Sequence, residues 1–151
     1  MMRLILASLA LSSVNAMGQV KIRVSPPHPK KYETVHASVE NTGSNPITFC
    51  IEVGQTSPKE GGETESTPWP FWVQRNNNGK WGTLMIGPDV GHFGSPNVLD
   101  GGKSVGFVFR LGASGQMRLR MNYWKGSVAN LDCDAPPEGE QVVTSAVFVI
   151  E

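Results

Sequence analysis

From residue 19 onward, the apolar side chains of this chain recur at every second position. Val20, Ile22 and Val24 alternate with Lys21 and Arg23. Pro26, Pro27 and Pro29 close that run, because proline cannot donate to a sheet ladder. Residues 32–40 alternate again, with Val35, Ala37 and Val39 on one side and Thr34, His36, Ser38 and Glu40 on the other. After an Asn-Thr-Gly-Ser-Asn-Pro turn at 41–46, Ile47, Phe49, Ile51 and Val53 share one face, with Thr48, Cys50 and Glu52 opposite. A sheet with one buried and one solvated face requires this alternation.

The period continues to the end of the chain. Residues 69–75 and 80–86 read as two strands around Asn76-Asn77-Asn78-Gly79, a hairpin turn that needs positive φ. Along 104–111, Val105, Phe107, Phe109 and Leu111 share a face. Along 116–124, Met117, Leu119, Met121 and Tyr123 alternate with Arg118, Arg120, Asn122 and Trp124. Residues 141–150 read as the last strand. Between these runs, 54–68 has no apolar side chain except Pro58 and Pro68 and reads as a long surface loop. Residues 87–100 read as irregular and 125–140 as a polar loop. No stripe at spacings of three and four persists for ten residues, so helices are not expected. About eight short strands separated by turn signals predict one all-β domain, a sandwich or a barrel.

The first sixteen residues follow a different rule. Met1-Met2-Arg3 is a short positive end, residues 4–11 are apolar, and Val14 and Ala16 place small side chains where a signal peptidase cuts. Residues 1–16 are therefore expected to be a signal peptide cleaved near Ala16, leaving 17–151 as a single exported domain, periplasmic or secreted. The apolar stretch is too short to anchor in a bilayer, and no later run reaches that length, so no membrane span is expected. The whole chain carries 13 basic and 13 acidic residues, and loss of Arg3 leaves 12 against 13. A net charge near zero offers no electrostatic reason to expect nucleic acid as a partner.

Export changes what Cys50 and Cys133 mean. An oxidising compartment favours a disulfide between them over metal binding or thiol catalysis. Cys50 points away from Ile47, Phe49 and Ile51, so the bridge is expected to pin the 125–140 loop across the outside of a sheet. The alternative is two unpaired buried thiols acting as small hydrophobes.

Several landmarks occur in a familiar order: Asn-Thr-Gly-Ser-Asn-Pro-Ile at 41–47, Asn-Gly-Lys-Trp at 78–81, Val-Leu-Asp-Gly-Gly-Lys-Ser at 98–104 and Gly-Gln-Met-Arg-Leu-Arg at 115–120. Over roughly residues 30–150 the chain resembles bacterial immunoglobulin-like domains of small exported proteins. More distantly it is similar to sandwiches of the intracellular proteinase inhibitor type. The resemblance implies an immunoglobulin-like β-sandwich of about seven to nine antiparallel strands. It supplies no catalytic residues. The long 125–140 loop with its cysteine departs from the pattern, in which the last two strands are joined more closely.

Candidate chemistry is sparse. His28, His36 and His92 share no metal-ligand spacing, so no metal and no cofactor are expected. Asp89 and His92 sit three apart in a Gly-rich loop, either as a functional pair or as a solvated turn. No nucleophile elbow, phosphate loop or paired-carboxylate motif is present, so no catalytic residues are assigned and the chain is not expected to be an enzyme. Met117 and Met121 keep register with Leu119 and Tyr123 and read as core rather than as soft-metal ligands. Trp69 reads as core with Phe71 and Val73. The candidate binding surface is Trp72, Trp124, Arg118 and Arg120. The two tryptophans lie on the outward register, where a partner meets them or where the 54–68 or 125–140 loop folds over them. The leading expectation is a non-enzymatic binding or structural module with a protein or envelope component as partner. The alternative is a proteinaceous hydrolase inhibitor acting through the 54–68 or 87–98 loop.

Overall fold

A computed structural model describes residues 18–52, 60–65, 68–84 and 94–151. Alternation becomes strand wherever two such runs can pair, and no helix occurs among the described residues. The strands are β1 (Val20–Ser25), β2 (Thr34–Asn41), β3 (Ile47–Glu52), β4 (Glu63–Glu65), β5 (Trp72–Asn77), β6 (Lys80–Thr83), β7 (Gly94–Leu99), β8 (Ser104–Arg110), β9 (Gly115–Lys125), β10 (Gln141–Thr144) and β11 (Phe148–Ile150). They form the expected all-β sandwich. The smaller sheet runs β1-β2-β8 antiparallel, with the short β4 added parallel to β8. The larger sheet contains β6, β5, β9, β3 and β7, and β10 and β11 also pair with β9.

β9 organises the larger sheet because it is eleven residues long and serves four partners. β5 pairs along Met117–Arg120, β3 at Trp124 and Lys125, β10 along Arg120–Tyr123 and β11 along Gly115–Met117. Its inward residues Met117, Leu119, Met121 and Tyr123 are all buried, and they share one core with Phe49, Phe71, Phe107 and Phe109. The Phe71 and Phe107 rings meet edge to face with centroids 5.4 Å apart, the arrangement that aromatic quadrupoles favour.

Turn chemistry behaves as the sequence predicts. Asn78 and Gly79 both take positive φ in the β5–β6 hairpin, and the Asn76 side chain accepts a hydrogen bond from the Gly79 amide at 2.7 Å. In the 41–46 turn, buried Asn41 donates to the Asn45 and Leu99 carbonyls at 2.9 and 3.1 Å, tying β2 to the end of β7.

Three details differ from the pattern reading, and together they raise the segment number to eleven among the described residues. The expected last strand is two. Ser145 leaves the ladder so that its Oγ accepts from the buried Leu119 amide at 2.9 Å while its own amide donates to the Leu119 carbonyl. The expected 54–68 loop contains β4, and the expected irregular 87–100 stretch contains β7. Neither needs apolar alternation, because β4 gains backbone pairing from β8 and β7 from β3. The expected leader, residues 1–16, and the Asp89–His92 pair lie outside the described residues.

Candidate functional site

Even-numbered residues of β9 point to the outer face of the larger sheet. Cross-strand register sets Trp72 of β5 beside Arg120, Gln74 beside Arg118, and Trp81 of β6 beside Asn76. These positions make a surface in which each arginine lies over a tryptophan. The Arg118 guanidinium is 4.4 Å from the Trp81 ring centroid, and that of Arg120 is 5.4 Å from the Trp72 centroid. Both lie within reach of the ring quadrupole. Arg118 Nε also donates to Gln74 Oε1 at 2.8 Å, and Asn76 Nδ2 donates to Gln116 Oε1 at 2.9 Å. No ion pair neutralises Arg118 or Arg120 among the described residues. Trp72 remains 44% exposed.

The other half of this face is covered. Residues 126–140 cross it as a strap tied by the Cys50–Cys133 disulfide, as expected from the outward register of Cys50. Thr48 forms a second tie: its Oγ1 donates to the Gly126 carbonyl at 2.8 Å and accepts from the Val128 amide at 2.9 Å. Trp124 is therefore a correction to the expected surface. It faces outward, but it is only 6% exposed, and its Nε1 donates to the Pro137 carbonyl of the strap at 3.1 Å. Trp124 and Leu131 are buried outside the inter-sheet core, as expected of side chains covered from the solvent side. Gly94 of β7 is needed where the strap comes down. A Cβ there would lie 2.8 Å from that of Cys133, closer than real carbons approach.

Where strap and open face meet there is a cleft of about 400 Å³, within the roughly 300–1,000 Å³ range of small-molecule sites. Trp69, Trp72, Arg120, Asn122, Pro136 and Glu140 line it, with the disulfide at its margin. Trp69 thus does two jobs, packing against the core as expected and lining this cleft. Sequence reading missed Asn122. Its Oδ1 is buried and has no hydrogen-bond partner among the described residues, a cost of about 1–3 kcal/mol unless something donates to it. An outward polar residue next to Arg120 was the available signal, but only the strap makes that position concave.

Chemistry elsewhere is quiet. His28 and His36 are exposed, and no group of three metal-ligating side chains occurs among the described residues. Met117 and Met121 are fully buried core residues. No described helix is long and apolar enough to cross a membrane. Tyr123 has a phenol pushed above its ordinary value of 10.0 by burial. Much of the 54–68 and 87–98 loops invoked for an inhibitor lies outside the described residues.

Fold and surface together define an all-β sandwich with a disulfide-strapped, aromatic and cationic sheet face. Comparison with protein-family models, curated proteins and solved structures found no match to this chain.

Proposed function

We propose that this chain is a non-catalytic, exported immunoglobulin-like module that binds a protein or another component of the cell envelope or secreted space through the outer face of its larger sheet. The observation that carries the reading is the open Arg–Trp row, Arg118 over Trp81 and Arg120 over Trp72. Tryptophan and arginine dominate interface hot spots, and stacking pre-orients the guanidinium groups, so less side-chain freedom is lost on binding. Export is supported by the leader-like residues 1–16 and by a disulfide of the kind that persists in oxidising compartments.

The test compares immobilised wild-type protein with Trp72→Ala, Arg118→Ala and, on the opposite sheet, Lys21→Ala, each exposed to an envelope extract. A component retained by wild type and Lys21→Ala is expected to be lost by the other two. Equal retention by all four proteins refutes this surface.

A further inference from the structure

One edge of the smaller sheet is left without a partner strand. Among the described strands β1 pairs with β2 alone, and β2 takes up the main-chain groups of alternate β1 residues. The Gln19 carbonyl accepts from the Thr42 amide, so in this register Lys21, Arg23 and Ser25 also direct their amides and carbonyls toward β2. Those of Val20, Ile22 and Val24 therefore point away from the sheet, and none bonds another described backbone group. All three residues line a groove of about 760 Å³, whose far side is the edge of the larger sheet at Val143 and the half-exposed Val147. We infer that β1 takes up an extended peptide segment of a partner protein, acidic and apolar at alternate positions, as an added strand.

The other open edges are poorer templates. β7 contains Pro96, β6 has four residues, and the β10–β11 edge is interrupted where Ser145 leaves the ladder. β1 offers six residues without proline. Side-chain parity then sets the composition of the occupant. One set of its side chains lies beside Val20, Ile22 and Val24 and covers the apolar gap toward Val143 and Val147. The other set lies beside Lys21 and Arg23, and the groove lining holds no acidic side chain. Arg23 bonds Glu40 through Nε at 2.7 Å, and the remaining donors of its guanidinium suit a second carboxylate. Opposite charges directly across a ladder are favourable. The same cations work against a second copy of this chain. Two β1 strands paired antiparallel about Ile22 would set Lys21 opposite Arg23 twice, a destabilising like-charge arrangement.

The experiment titrates the isotope-labelled, disulfide-bonded protein with the acetylated and amidated hexapeptide Glu-Val-Glu-Val-Glu-Val, reading amide shifts and hydrogen exchange by NMR. Lys-Val-Lys-Val-Lys-Val and Glu-Glu-Glu-Val-Val-Val serve as controls for charge and for alternation. Saturable binding of the first peptide is expected, at least about tenfold tighter than that of either control. At saturation the Val20, Ile22 and Val24 amides should exchange at least about tenfold more slowly. Those of Lys21 and Arg23, already bonded to β2, should change far less. The variant Lys21→Glu/Arg23→Glu should lose the acidic peptide and gain the lysine one, a swap that an unfolded variant cannot show. No saturable binding, equal binding of a control, or slowed exchange at β6 or β7 in place of β1 overturns the inference. So does protection of the Val20, Ile22 and Val24 amides in the free protein that disappears on dilution, since a second copy would then hold the edge. The site shares no residue with the Arg–Trp row, so capture at the outer face stands or falls separately.

Discussion

Removing the strap's covalent tie tests how the outer face is built. Cys50 and Cys133 are 83 positions apart, so the bridge withdraws a long closed loop from the unfolded ensemble. In the chain-entropy account this amounts to about 15 cal/mol/K, or about 4.5 kcal/mol at 25 °C. Against a typical total of about 5–15 kcal/mol, that is a large fraction of the stability. The folded state keeps its other ties: Thr48 still bonds Gly126 and Val128, and Trp124 still donates to Pro137. The double variant Cys50→Ala/Cys133→Ala is therefore expected to fold with native tryptophan emission while unfolding about 4.5 kcal/mol more easily in urea. Its thermal midpoint should fall by roughly 10–20 °C. A loss below about 1 kcal/mol would refute the entropic reasoning. A red-shifted native emission would refute the claim that noncovalent ties hold the strap, since Trp124 would then be uncovered.

Three further outcomes follow from single positions. Ser145→Ala deletes the acceptor of the buried Leu119 amide and should cost about 1–3 kcal/mol by urea unfolding; a loss under about 0.5 kcal/mol would mean the amide finds another partner. Gly101→Ala places a Cβ 2.5 Å from the Ser44 carbonyl, which is backbone, whereas Gly43→Ala meets the flexible Gln19 side chain at 2.7 Å. The first should therefore cost about 1–3 kcal/mol and the second clearly less, and equal thermal midpoints would contradict that ordering. Tyr123 has its pKa raised by burial, so its contribution is complete below pH 10.0 and is lost as pH rises through the higher folded value. Tyr123→Phe should therefore flatten part of the alkaline fall in stability while leaving the neutral range alone, and an unchanged alkaline slope would exclude this group.

The period-two pattern was legible because it follows from strand geometry alone. Successive side chains point to opposite faces, so Met117, Leu119, Met121 and Tyr123 had to share one environment and Arg118, Arg120, Asn122 and Trp124 another. The same parity placed Cys50 on the outside and put its partner in the loop before the final strands. Only part of the candidate site was legible in this way. Trp72 and Trp124 have equal parity, yet one is open and the other covered, because the course of the strap is set by long-range ties to β3 that no local pattern encodes. The break at 145–147 was hidden for a related reason: a serine hydroxyl replaces ladder pairing only where the Leu119 amide lies beside it.

Which faces are apolar, where the chain turns and which way each cysteine points are properties of neighbouring residues, and the amino-acid order alone determines them. Which arginine stacks on which tryptophan, and which polar oxygen is closed off from water, depends on residues tens of positions apart meeting across strands. Those outcomes were decided by register and by the strap, since burial and electrostatics are properties of the assembled surface rather than of the chain.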